Sequence, residues 1–122
     1  VEVSNVEIGQ DYKALGVTLD DALFNSDYCF VGRASGSSMQ NVGIFDGDIL
    51  IINRKVQVKH YDVVVALYNG LFVCKIADLK NNMLVSASDE YPPIKITEHD
   101  EFALEGVVTS SVRLHRSKSA LD

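Results

Sequence analysis

The serine turn Ser35-Gly36-Ser37-Ser38 and the strand lysine Lys75 are the parts of this chain whose residue types and spacing point to chemistry. Ser35-Gly36-Ser37-Ser38-Met39 puts three hydroxyls around a glycine. Thirty-seven positions after Ser38, Lys75 interrupts the apolar run Leu71-Phe72-Val73-Cys74-Lys75-Ile76-Ala77. A serine hydroxyl is a poor nucleophile until a neighbouring group takes its proton. An unperturbed lysine has a pKa near 10.4, so roughly one molecule in 2,500 is neutral at pH 7. Burial disfavours the charged form and can lower that pKa by about 3–5 units. A lysine brought near pKa 7–8 is a competent general base. A serine on a tight turn and a lysine in a greasy strand are therefore the two halves of a proton-transfer pair. Gly36 lets the chain bend and lets a substrate backbone come close. Backbone N–H groups around Ser38 are then available to a tetrahedral oxyanion.

Each half also has a plain alternative. Ser-Gly-Ser-Ser is a common turn composition. A strand lysine can lay its stem along the sheet and its amine in water. The turn itself does not choose among Ser35, Ser37 and Ser38.

The elements that must position the pair read as mostly strand. Asn69-Gly70 is the strongest local signal, because both residues tolerate the positive φ of a two-residue type I′ hairpin. That turn pairs Tyr68 with Leu71, Val65 with Cys74 and Val64 with Lys75. Alternation then puts Lys75 on one sheet face with Leu71, Val73 and Ala77, where no carboxylate is at hand. Further strands are expected over Tyr28 to Ala34, Asp48 to Asn53 after the Asp46-Gly47 turn, Asp62 to Tyr68, and Met83 to Ser88. Tyr91-Pro92-Pro93 breaks the pattern, and Ala103 to Leu114 supplies a last strand or two. Before them, Thr18 caps a short helix with Asp20 and Asp21 in its first turn. Leu19, Ala22 and Leu23 form its apolar face, and it should stop near Asn25-Ser26-Asp27. We expect residues 1–17 to be an extended arm, 18–116 one domain, and 117–122 a frayed tail.

Composition narrows the function classes. The 122 residues suit one domain, and 47% hydrophobic residues are ample for one core without a disulfide or metal staple. The net charge of -6 argues against specific nucleic-acid binding as the main activity and suits protein partners. Cys29 and Cys74 both fall in apolar runs and are expected to be buried, reduced thiols. No Cys/His cluster suggests a metal, and no cofactor is expected. No run approaches the ~20 apolar residues of a membrane span and no signal peptide is present, so a cytoplasmic protein is expected. Val1 is expected to be a processed or truncated end.

An ordered set of motifs now resembles a known family. Ser35-Gly36-x-Ser38-Met39, Asp46-Gly47-Asp48-Ile49-Leu50-Ile51, His60-x-Asp62-Val63-Val64 and Phe72-Val73-Cys74-Lys75 are similar to the LexA/UmuD self-cleaving serine peptidases of S24 type. Tyr91-x-Pro93-Ile94 and Gly106-Val107-Val108 resemble the UmuD branch. The resemblance runs from about Thr18 to about Leu114. It implies a mainly β, partly opened barrel-like fold of the LexA/signal-peptidase type with one short helix, and a homodimer. It implies Ser38 as nucleophile and Lys75 as general base of a serine peptidase that cleaves its own amino-terminal arm. It further implies stimulation by the RecA–single-stranded DNA filament after DNA damage. In the UmuD branch the shortened product joins a Y-family polymerase subunit of the UmuC type in an error-prone translesion polymerase. The alternative is the carboxyl-terminal dimerisation and self-cleavage domain of a LexA-like or phage-type repressor.

Two departures from the family pattern stand out. The chain has no Ala-Gly or Cys-Gly bond of the kind the family cleaves, and Ile8-Gly9 and Leu15-Gly16 are poor substitutes. The scissile bond is therefore expected upstream of Val1, the alternative being a chain that has lost self-cleavage. A glycine usual after the His60 position is Tyr61 here.

Overall fold

In a computed structural model describing residues 15–24, 27–118 and 120–121, Asn69 and Gly70 take φ of 47° and 85°. That is the left-handed pair a type I′ turn needs. It joins β3 (Val63–Tyr68) to β4 (Leu71–Asp78) with Tyr68 opposite Leu71 and Val64 opposite Lys75, the register expected from the turn. Around this hairpin lie β1 (Cys29–Arg33), β2 (Ile49–Asn53), β5 (Met83–Val85), β6 (Ile94–Lys95) and β7 (Phe102–Val112). They form one antiparallel sheet in the order β1-β2-β7-β3-β4-β5-β6.

The sheet is open, and it is curved. Side chains of β1 and β4 line one cavity although three strands stand between them. In a flat sheet that separation would be about 19 Å at the usual strand spacing. The long strand β7 has a bulge against each neighbour, between Ile51 and Ile52 on β2 and between Val65 and Ala66 on β3. Bulges bend a strand and increase its twist. One core cluster packs Met39, Ile44, Leu50, Ile52 and Ala87, and a second packs Val64, Ala77, Leu84 and Val107.

Some sequence expectations need correction. β5 ends at Val85, short of Ser88. After the prolines the chain forms the two-residue strand β6, which pairs with β5 through Leu84 and Ile94. The helix α1 (Leu19–Leu23) has its Thr18 cap, with Oγ1 accepting from Asp21 N–H at 3.1 Å, but buries none of its residues. Five residues make little more than one turn, too short to present a stable apolar stripe. Cys29 and Cys74 are half-buried rather than buried. Apart from Leu15–Val17 the expected arm lies outside the described residues, as do Asn25 and Ser26 at the expected helix stop.

Two positions show why a glycine is wanted. Tyr61 sits at φ 69°, with its N–H donating to Ala77 O at 2.7 Å. The left-handed conformation costs a non-glycine residue about 1–2 kcal/mol, which explains the glycine expected there by resemblance. Gly106 is tighter: a Cβ would lie 2.7 Å from Ile52 Cγ2 and 2.8 Å from the Asn53 carbonyl oxygen. Since backbone must give way, Gly106→Ala should destabilise the fold by about 1–2 kcal/mol. Thermal melts check this, and an unchanged Tm would show that β2 and β7 separate freely.

Candidate active site

The turn that carries Ser38 is held from both ends. Past β1, Ala34 N–H donates to Asp48 O and Gly47 N–H donates to Ala34 O, each at 2.8 Å. Gly36, at φ 91°, donates its N–H to Asp46 Oδ1 at 2.8 Å. The Asp46-Gly47 turn is thus the anchor of the serine turn. On the other side Met39 is buried and begins the 3-10 turn Gln40–Val42. Asn41 N–H then donates to Ala87 O at 2.8 Å, just beyond β5.

Behind this turn lies an ion pair between a buried carboxylate and a half-exposed guanidinium. Asp48 is 2% exposed. Arg113 meets it in a fork, Nε to Oδ1 and Nη2 to Oδ2, both at 2.8 Å. Nη2 also donates to Gly43 O at 3.1 Å, and the guanidinium lies 4.5 Å from the Phe45 ring centroid. Phe45 N–H gives Asp48 Oδ2 a further bond at 2.9 Å. The Arg113 bonds, then the Phe45 N–H, hold the Asp48 carboxyl below its ordinary pKa against the opposing effect of burial. Charge-assisted forks of this kind are geometrically demanding, so this one locks β7 onto the loop that follows Ser38.

Lys75 is held by the opposite part of the sheet. The segment before β3 is clipped to the end of β4: Ala77 N–H donates to Asp62 O at 2.9 Å, and Leu79 N–H donates to His60 Nδ1 at 3.0 Å. β5 pairs with β4 only from Ile76 to Asp78. Among the described residues no strand pairs with that edge of β4 from Leu71 to Lys75. The Lys75 amine donates to Ser86 Oγ at 2.7 Å and lies 5.6 Å from the Tyr91 ring centroid. Among the described residues no carboxylate is within ion-pair distance of it. Burial pushes the Lys75 amine below its ordinary pKa, with Cys74 a smaller opposing influence. Burial pushes the Cys74 thiol up to about 11, so it stays protonated at neutral pH and is no rival nucleophile.

Ser38 and Lys75, the two residues singled out from the sequence, line the same cavity of about 400 Å³. Ser35 and Gly36 line it too, whereas Ser37 does not. Its wall is largely apolar, with Phe30, Leu50, Ile52, Val65 and Phe72, and its charged members besides Lys75 are Arg33, Arg54 and Glu105. Such a cleft suits an extended peptide with apolar side chains, and it brings serine hydroxyls and one amine of reduced basicity to the same largely apolar wall.

Ser86, Arg113 and the anchoring role of Asp46 were missed from the sequence. For Ser86 the signal lies in the structure: carrying the β4–β5 register one step beyond Ile76 opposite Val85 sets Ser86 opposite Lys75.

Comparison with known proteins bears on the family. Residues 3–109 match the model of the Peptidase S24-like family. The chain is 31% identical over 109 residues to a LexA repressor of Alteromonas mediterranea, covering 87% of this chain and 52% of that protein. It is 36% identical over 90 residues to the LexA repressor of Syntrophotalea carbinolica, covering 72% and 45%. A LexA repressor of Paraburkholderia xenovorans is 31% identical over 109 residues, covering 87% and 50%. The chain thus spans about half the length of these relatives. With a family match over most of its length, an open antiparallel sheet and a shared cleft for Ser38 and Lys75, the chain belongs to the Peptidase S24-like family.

Proposed function

We propose that this chain is the self-cleaving serine peptidase domain of a LexA-like repressor, with Ser38 as nucleophile and Lys75 as its general base. The observation that carries the reading is the common cavity of Ser38 and Lys75, where burial lowers the basicity of the amine. Ser38 Oγ attacks the carbonyl carbon of the scissile bond while its proton passes to the neutral Lys75 amine. Backbone N–H groups of the serine turn hold the oxyanion. The intermediate collapses, the C–N bond breaks, and the leaving amine takes the proton from Lys75. Water, deprotonated by the same amine, then releases the acyl group from Ser38. The substrate arm lies extended against the unpaired edge of β4, using backbone hydrogen bonds for affinity.

The repressor context is favoured over a UmuD-type polymerase subunit because the relatives above are named as repressors. The two segments that resembled UmuD have structural duties instead. Gly106 allows the close approach of β7 to β2, and Pro93 leads into β6. In this reading the domain dimerises, and a RecA–single-stranded DNA filament stimulates its cleavage.

The test is incubation of the full-length gene product at alkaline pH, followed by mass analysis of the fragments and a DNA-binding assay. The expected result is a single cut amino-terminal to this domain, with loss of DNA binding. An uncut product at any pH, alone or with the filament, overturns self-cleavage. Cleavage from a short arm with no DNA-binding domain before it restores the polymerase-subunit reading.

A further inference from the structure

Ser86 and Ala87 touch Lys75 and the segment that directly follows Ser38 from one place. Ser86 Oγ accepts from Lys75 Nζ at 2.7 Å. The next residue, Ala87, accepts through its carbonyl from Asn41 N–H at 2.8 Å, in the 3-10 turn that directly follows Ser38 and Met39. Ala87 and Met39 also pack in one buried cluster. The chain passes this point just after β5 has stopped pairing with β4. A lysine amine has three donor positions and a four-carbon stem with many rotamers. Something must choose among them, and no carboxylate does so among the described residues.

We propose that Ser86 is a positioning residue for Lys75. Its hydroxyl takes one N–H of the amine, so that when the amine is neutral its lone pair is left for the Ser38 hydroxyl. Ala87, one residue on, holds the Ser38 turn at a fixed distance from that hydroxyl. The proposal rests on the reading of Ser38 and Lys75 as nucleophile and base. It adds a third residue, which acts through Lys75 and neither touches substrate nor exchanges a proton with it.

Ser86 should also affect the proton affinity of the amine. A hydroxyl that accepts from an ammonium favours the charged form, so its removal should lower the Lys75 pKa. The other titratable or charged groups around the amine are Cys74 on β4, Tyr91 beyond β5, and Arg33, Arg54 and Glu105 on the cavity wall. None of them changes in the variants below.

The chain can be tested without its substrate, using diisopropyl fluorophosphate. Ser38 Oγ forms a bond to phosphorus, fluoride leaves, and the hydroxyl proton passes to Lys75. The rate of labelling is followed by mass spectrometry from neutral to alkaline pH for wild type, Ser86→Ala, Ser86→Thr and Lys75→Ala, with thermal melts to confirm folding. Ser86→Ala should lower the plateau rate by roughly 10–100-fold, the cost of a misplaced group. It should also move the midpoint of the pH profile down by up to about one unit. Ser86→Thr should recover most of the plateau, because it keeps the acceptor. A folded Ser86→Ala with the wild-type plateau and midpoint overturns the proposal, as does a Ser86→Thr no faster than Ser86→Ala. Labelling of Lys75→Ala at the wild-type rate overturns the underlying pair itself. An inert Lys75→Ala beside an unaffected Ser86→Ala overturns only the role of Ser86.

Discussion

Lys75→Ala is expected to slow self-cleavage of the full-length product by roughly 10²–10⁴-fold, the usual contribution of a general base, and Ser38→Ala to abolish it. Lys75→Arg should be as slow as Lys75→Ala. Arginine keeps the charge but cannot be deprotonated, so the variant separates a base from a positive charge. Ser37→Ala should cleave at close to the wild-type rate, since Ser37 is not on the cavity wall with Ser38. In the wild type only the neutral amine can take the serine proton. The rate should therefore climb about tenfold per pH unit below the Lys75 pKa and level off above it. Burial moves that pKa down, so levelling should come below the usual pH for lysine. A rate flat from neutral to alkaline pH in a folded protein would remove lysine as base. An inert Ser37→Ala would move the nucleophile by one residue.

The second large effect is on stability. Arg113→Ala strips the buried Asp48 carboxylate of both fork bonds. A buried carboxylate left without its partner is among the costliest outcomes of a single substitution. We expect a fall in Tm of roughly 10 °C at neutral pH for a domain of this size. The pH dependence has a definite sign. Asp48 has its pKa lowered in the folded state, first by Arg113 and then by the Phe45 N–H. It therefore contributes stability above its unfolded pKa of about 3.9, lost as pH falls through the lower folded value. In Arg113→Ala the main lowering influence is gone and burial opposes ionisation. Acid unfolding should then set in at higher pH than in the wild type. Melts of both proteins from pH 7 to pH 3 decide it. Coincident curves would mean that water screens Asp48 as well as Arg113 does.

What could be read from the sequence was local. Asn69-Gly70 demands positive φ at two adjacent positions, and that alone set Val64 opposite Lys75. The Thr18 cap and the Asp46-Gly47 turn are local in the same sense. What escaped depends on distant parts of the chain. The curvature that brings β1 and β4 to one cavity comes from bulges in β7, and a bulge leaves no period-two signature. Arg113 finds Asp48 across 65 positions. β6 was hidden because its two residues follow consecutive prolines, which ordinarily end a strand. Ser38 was selected from three serines by family resemblance, not by physics. The structure adds that Ser37 is away from the cavity wall while Ser35 is on it.

The ladder between β4 and β5 stops at Ile76 opposite Val85. Had it run on for three residues, Ser86 would be zipped to Lys75 through its backbone and the cleft would have no free rim. An unfinished ladder is a receptor, but it is also a hazard, because bare strand edges accept any extended chain that arrives. Leu71 and Phe72, 70% and 69% exposed, flank this rim with apolar surface. A chain segment tethered nearby has a large kinetic advantage over any intruder, since its effective concentration reaches the millimolar range for a short linker. In the reading proposed above, removing that segment would change the colloidal character of the molecule as well as its chemistry. A domain cut free of such an arm would carry an adhesive seam for another strand to cover.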